Sequence, residues 1–111
     1  MASGDEVPVR VERRGPVGIL TLDRPDRRNA LSRFTLSELG RLTRELVADR
    51  EVRTIVLTGS GDKVFCAGAD LKERQAFTNE DVRVQVGLYR TELEALDRSP
   101  KPVICALNGS A

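Results

Sequence analysis

Histidine and tryptophan are absent from this 111-residue sequence. Without histidine, these residues cannot form a His-based catalytic triad or a His-ligated metal site. Cysteine is scarce: Cys66 and Cys105 are too few for a disulfide framework, and a reducing compartment is the simplest reading. An excess of either charge is also missing. Lysine and arginine number 18 against 17 acidic residues, a net charge of +1, which leaves no electrostatic footprint for nucleic acid or an anionic membrane. Apolar runs such as Ile55-Val56-Leu57 last only a few residues, far short of a membrane span. Met1 to Val7 are small or acidic without an apolar core, so no signal peptide is expected there. What is present, 40% apolar and 32% charged residues, suits one small and well-solvated globular domain.

Val7, Val9 and Val11 alternate with polar or special residues at the period of a half-buried strand. The turn signal Arg14-Gly15-Pro16 leads to a second β-rich run, Val17 to Leu22, so a hairpin is predicted. Pro25 ends that run, and Asp26 to Asn29 read as a polar loop. Ser32 can cap a helix reaching about Asp49, with Leu36, Leu39, Leu42, Leu46 and Val47 on one stripe. Thr54 to Thr58 is a continuous apolar run of the kind found in strands covered on both faces. After a turn at Gly59 to Asp62, Val64-Phe65-Cys66 is predicted as a short strand entering Ala67-Gly68-Ala69-Asp70, and Leu71 to Ala76 as the beginning of a helix. Thr78 with Asp81 gives a capping signal for another helix, whose face is predicted from Val82, Val86, Tyr89, Leu93 and Leu96. Ser99 to Pro102 stop it, and Val103 to Leu107 read as a buried strand with Cys105 in the core. The order β-β-α-β-β-α-β points to a layered α/β domain. Residues 1–8 are expected to be a flexible amino terminus and 9–111 a truncated core domain. A buried strand followed only by a turn suggests a fragment.

Candidate chemistry is sparse. Asn79, Glu80 and Asp81 form an acidic cluster, but in the first turn of a helix they serve to offset the macrodipole. Gly59-Ser60-Gly61 has no Rossmann or P-loop continuation, so it predicts no phosphate cradle. Phe65 to Glu73 is different: an apolar run enters a corner of small residues and then a helix start. Small residues let another molecule approach the backbone, and N–H groups at a helix start are unpaired. Such a corner can hold a carbonyl oxygen as negative charge develops on it. A plain tight turn explains it equally well from physics alone.

Phe65-Cys66-Ala67-Gly68-Ala69-Asp70-Leu71-Lys72-Glu73 resembles the signature of the crotonase, or enoyl-CoA hydratase/isomerase, superfamily. Leu22-Asp23-Arg24-Pro25 through Asn29-Ala30-Leu31 resembles that family's first motif. Val52 to Gly59 resembles its next strand, and Lys101 to Gly109 the stretch before its second glycine-rich loop. The fold implied is a repeated β-β-α spiral, here its amino-terminal portion. The resemblance implies that the Ala69 backbone N–H is one of two oxyanion-hole donors for a thioester carbonyl. Ala67, Gly68, Asp70 and Leu71 would line the CoA path, while Arg27, Arg28 and Ala30 would lie where the first loop touches CoA, and Lys72 would reach the nucleotide. Forked arginine donors suit phosphate; a merely solvated loop is the competing reading for Arg27 and Arg28. The second donor and the acid/base glutamates of hydratases would follow Ala111, so these residues alone are expected to lack hydratase activity.

The reaction implied is addition of water to an α,β-unsaturated CoA thioester, with the thioester as substrate and no metal or redox cofactor. Cys66 to Arg74 is most similar in wording to 3-methylglutaconyl-CoA hydratases, and a general enoyl-CoA hydratase or isomerase of fatty-acid oxidation is the alternative. Some members of that branch bind RNA through a basic helix. Here Arg41, Arg44 and Arg50 are offset by Glu38, Glu45 and Asp49, so nucleic-acid binding is not expected. A non-catalytic CoA-binding or oligomerising role is a further alternative. Expected partners are an acyl-CoA and, through the family, copies of the chain in a trimer or dimer of trimers. A cytoplasmic location without membrane contact is expected. Cys66 is read as a packing residue rather than a reactive thiol.

Overall fold

The computed structural model describes residues 7–111. Strand β1 (Val9–Arg14) turns through Gly15 into β2 (Val17–Leu22), and the two pair antiparallel as the predicted hairpin. A 3-10 turn (Pro25–Arg27) follows, then α1 (Arg33–Ala48), β3 (Thr54–Gly59), the single-turn α2 (Leu71–Arg74), α3 (Asn79–Asp97) and β4 (Val103–Cys105). The four strands form one sheet in the order β1-β2-β3-β4, with β3 parallel to β2 and β4 parallel to β3. Parallel neighbours require crossovers; α1 supplies the first and α2 with α3 the second.

Ser32 caps α1 as its sequence suggests, its hydroxyl accepting from the Thr35 N–H at 3.1 Å. Leu36, Leu39, Leu42 and Leu46 then face Leu20 and Leu22 of β2, Val9 of β1 and Ile55 of β3, and together they make the core. Thr78 and Asp81 form the expected capping box at α3, with the hydroxyl accepting from one N–H and the carboxylate from the other. Helix α3 packs mainly on α1. Arg33 pairs with Asp81 at 2.8 Å and Arg44 with Glu92 at 2.8 Å, so the two helices run side by side in the same direction.

Four expectations need correction. Val64-Phe65-Cys66 is not a strand; Val64 makes only an isolated bridge to Ser110, because Phe65 and Ala67 donate their N–H groups to Ser110 and Arg28 in the surrounding loops. The second β-β-α unit is therefore reduced to β3 and that bridge. The inward face of α3 also differs from its sequence pattern: Val86 is 60% exposed, while Gln85 is buried beside partly buried Leu88, Tyr89, Leu93 and Leu96. The final strand is only three residues long, with Ile104 and Leu107 more than half exposed and Cys105 on the surface rather than in the core. Finally, β3 is less enclosed than expected: Ile55 is buried and Leu57, on the same face, packs partly buried against the core, while Val56 on the opposite face is only half-buried. The amino terminus expected to be flexible over 1–8 lies outside the described residues up to residue 6; Pro8 is buried, and its carbonyl accepts from the Asp23 N–H at 2.8 Å.

Candidate functional site

Two asparagines build the site's foundation. Asn29 follows Arg28 in a pair of left-handed residues (φ 55° and 57°) and is only 2% exposed. Its side-chain oxygen accepts from the Arg24 N–H at 2.8 Å, and its amide nitrogen donates to the carbonyls of Val64 at 3.0 Å and Ser60 at 3.3 Å. From the far end of the chain, Asn108 donates to the Gly61 and Val64 carbonyls and accepts from the Gly59 N–H. Gly59 lies between these groups, where a Cβ would come within 2.7 Å of the Phe65 carbonyl oxygen. The two clamps fix the 59–64 turn and so aim the segment that follows.

That segment passes through Gly68 at φ 98°, a backbone conformation that L side chains rarely adopt. The turn brings Ala69 opposite Leu31 as an isolated parallel bridge. Leu31 donates to the Gly68 carbonyl at 2.7 Å and accepts from the Asp70 N–H at 3.2 Å. A parallel bridge of this kind uses the groups on either side of Ala69, leaving its own N–H directed away from Leu31. Among the described residues the Ala69 N–H has no hydrogen-bond partner. An unpaired donor held by a rigid bridge is what an oxyanion hole requires.

Asp70 then caps α2, accepting from the Glu73 N–H at 3.1 Å, and pairs with Arg24 at 3.1 Å, both side chains being 11% exposed. Burial pushes the Asp70 carboxyl up, but the Glu73 N–H and the Arg24 and Arg27 guanidinium groups outweigh it and hold the carboxyl below its ordinary range. Arg24 also donates to the Ala30 carbonyl at 2.6 Å, tying the first loop to the corner. Glu73 accepts from the Arg33 N–H at the start of α1, and the Arg33 guanidinium lies 4.5 Å from the Phe77 ring centroid. These contacts fold residues 70–77 over the α1 amino terminus.

An open cleft of about 730 Å³ lies between this segment and the first loop, walled by Arg24, Arg27, Arg33, Asp70, Lys72 and Phe77 among others. Arg24 and Arg33 are paired with Asp70 and Asp81. Lys72 makes no ion pair among the described residues, and Arg27 has a loose 4.0 Å contact with Asp26 and a longer-range attraction to Asp70. The cleft therefore offers two cations to an anionic ligand.

Of the residues singled out from sequence, Ala67, Gly68, Ala69, Asp70, Leu71 and Lys72 share the corner, and Arg27 joins Asp70 and Lys72 at the cleft. Arg28 lies elsewhere, in a separate hollow with Ser60 to Val64, though its carbonyl accepts from the Ala67 N–H at 3.0 Å. Ala30 is buried and meets the site through its carbonyl, while Leu71 is 70% exposed. The positioning roles of Arg24, Asn29, Glu73 and Asn108 were missed. Arg24 and Asn29 bracket the loop after β2, and a polar residue flanking an apolar Ala30-Leu31 pair was the available signal. Burial pushes the Cys66 thiol up, an effect only partly offset by the Gly68 N–H, consistent with a packing residue. On α1, Arg41 is held by Glu38 and Glu45 and Arg44 by Glu92, so no basic stripe is free there.

Comparison with known proteins gives the same picture. The enoyl-CoA hydratase/isomerase family model matches residues 12–111. The short-chain-enoyl-CoA hydratase of Clostridium acetobutylicum is 38% identical over 103 residues, covering 93% of this chain and 40% of that protein. The mitochondrial methylglutaconyl-CoA hydratase of Mus musculus is 37% identical over 110 residues, covering 96% of this chain and 35% of that protein. The crystal structure of an enoyl-CoA hydratase from Bacillus anthracis superposes with a TM-score of 0.89 at 38% identity, covering 93% of this chain and 40% of that one. The chain thus spans well under half the length of these relatives, and the crotonase-type α/β fold expected from its motifs is the one it has. The chain belongs to the enoyl-CoA hydratase/isomerase family.

Proposed function

We propose that the protein carrying this chain is an acyl-CoA lyase that adds or removes water across the α,β double bond of an enoyl-CoA thioester. The observation that carries this reading is the unpaired Ala69 N–H, fixed by the Leu31 bridge and the left-handed Gly68 beside a cationic cleft. The thioester carbonyl accepts from that N–H. As water adds to the β-carbon, electron density moves onto the carbonyl oxygen, and a donor already in place stabilises the enolate without reorganising. Loss of one such donor in comparable sites costs about 3–4 kcal/mol, a hundred- to thousandfold in rate. Arg27 and Lys72 hold the phosphates of CoA, and the small side chains of Ala67 and Gly68 leave room for its pantetheine arm. The second carbonyl donor and the groups that move the proton are expected from the polypeptide beyond Ala111. The chemistry calls for no metal or redox cofactor.

The resemblance of Cys66 to Arg74, together with the murine methylglutaconyl-CoA hydratase among the relatives, favours a branched, carboxylate-bearing enoyl-CoA as substrate. Similarity to the clostridial short-chain enzyme supports the general enoyl-CoA hydratase alternative. Assembly as a trimer or dimer of trimers, and a cytoplasmic location, complete the proposal. Among the described residues no helix is long and apolar enough to cross a membrane. The test is turnover of crotonyl-CoA and 3-methylglutaconyl-CoA by the intact protein. Hydration of at least one is expected, and tight CoA binding without turnover of either would replace the lyase reading with a binding role.

A further inference from the structure

Packing does little to fix the peptide unit that carries the Ala69 N–H. Gly68 enters it at φ 98°, and a Cβ on Gly68 would meet no heavy atom within 4 Å. The Leu31–Ala69 bridge is isolated, without a ladder on either side to hold it flat. Its orientation therefore depends on hydrogen bonds, and these run in one line back to Arg24.

No described peptide bond is cis, so the carbonyl and N–H of each unit point in opposite directions. The Arg24 guanidinium donates to the Ala30 carbonyl at 2.6 Å. From the other side of that same peptide unit, the Leu31 N–H donates to the Gly68 carbonyl at 2.7 Å. Opposite the Gly68 carbonyl, on its own peptide unit, is the unpaired Ala69 N–H. The donors all point the same way, so their dipoles add and each bond polarises the next. A fixed positive charge stands at one end and an open donor at the other. Aligned peptide dipoles favour negative charge at such an open end, as they do at the start of a helix.

Arg24 is itself anchored. Its side chain, 11% exposed, pairs with Asp70 at 3.1 Å. Its N–H donates to the Asn29 side-chain oxygen at 2.8 Å, and its carbonyl accepts from the Arg27 and Asn29 N–H groups. A planar fork reaches Ala30 and Asp70 together, on segments distant in sequence; an ammonium is a single point.

We propose that Arg24 is a positioning residue for the oxyanion donor: through the Ala30–Leu31 and Gly68–Ala69 peptide units, its guanidinium both aims the Ala69 N–H and strengthens it. The inference rests on the enoyl-CoA hydratase reading. Arg24 acts without touching the thioester. Its contribution grows as charge moves onto the carbonyl oxygen, so it serves turnover more than substrate binding.

The test uses the intact protein, with crotonyl-CoA as substrate and butyryl-CoA, which has no double bond to hydrate, as a bound probe. Arg24→Lys keeps a charge beside Asp70 but not the fork. It should lower kcat about tenfold to a hundredfold, as a small misplacement of a catalytic donor does, with KM within about threefold of wild type. In the wild type, butyryl-CoA should move the Leu31 amide proton resonance downfield, although that N–H is one peptide unit removed from the ligand. A structural brace alone would not produce that shift. A kcat within about twofold of wild type, or a rise in KM with kcat unchanged, would overturn the proposal and leave the hydratase reading intact. So would a Leu31 resonance that butyryl-CoA leaves unmoved, and this measurement decides alone if Arg24→Lys does not fold. Wild-type protein that turns over no enoyl-CoA would remove the hydratase reading, and this proposal with it.

Discussion

Replacing Asn29 by Asp tests whether the loop clamp sets the stability of the site region. The two side chains have nearly the same shape, and both tolerate the left-handed backbone found at φ 55°. Asn29→Asp therefore keeps the acceptor for the Arg24 N–H but turns the donor facing Val64 O at 3.0 Å and Ser60 O at 3.3 Å into another acceptor. Two hydrogen bonds are lost, at about 1 kcal/mol each. A carboxylate at a position 2% exposed is then pressed against two carbonyl oxygens, adding about 1–3 kcal/mol more. The expected destabilisation near neutral pH is about 3–5 kcal/mol. It should shrink on acidification: burial raises the folded-state pKa of the new carboxyl above its unfolded value, so stability is regained once the group is protonated and lost as pH rises through the folded pKa. Chemical denaturation of variant and wild type across the range from about pH 5 to pH 8 reads both effects. A variant within about 0.5 kcal/mol of wild type over that whole range would refute the clamp.

Gly68→Ala should cost about 1–2 kcal/mol for a side chain forced to positive φ, and by turning the Ala69 N–H it should lower kcat of the intact protein more than it lowers Tm; equal activity would argue against this corner as the reactive one. The depressed Asp70 carboxyl contributes stability above its unfolded pKa that is lost as pH falls through the lower folded value. Asp70→Asn keeps a capping oxygen but removes that titration, so its acid-unfolding curve should be flatter than that of the wild type, and a parallel curve would contradict the Arg24 pairing. Arg27→Ala and Lys72→Ala should each weaken CoA binding and reduce its salt dependence in isothermal titration; unchanged salt dependence would place the phosphates elsewhere.

Legibility followed the range of the interactions involved. Helix α1 was readable because Ser32 and its leucines are set by local spacing, and the capping box of α3 lies within four residues. The Ala67 to Asp70 corner was readable only as a set of small residues; that Ala69 keeps its N–H free depends on Leu31, far upstream. Asn29 and Asn108 were invisible as clamps for the same reason, the carbonyls to which they donate lying more than 30 residues away in sequence. Gln85 rather than the expected Val86 faces inward on α3, because the packing of α3 on α1, a tertiary choice, overrides apolar periodicity. Strand β4 reads as buried from Val103 to Leu107, but burial is a property of what covers a strand, and Ile104 and Leu107 meet no cover among the described residues.

The most direct measurement is a crystal structure of the intact protein with a non-hydrolysable enoyl-CoA analogue. The thioester carbonyl oxygen should lie about 2.7–3.1 Å from the Ala69 nitrogen, with the CoA phosphates beside Arg27 and Lys72. A ligand whose carbonyl points away from Ala69, or one seated outside the cleft, would contradict the assignment of this corner as the oxyanion site.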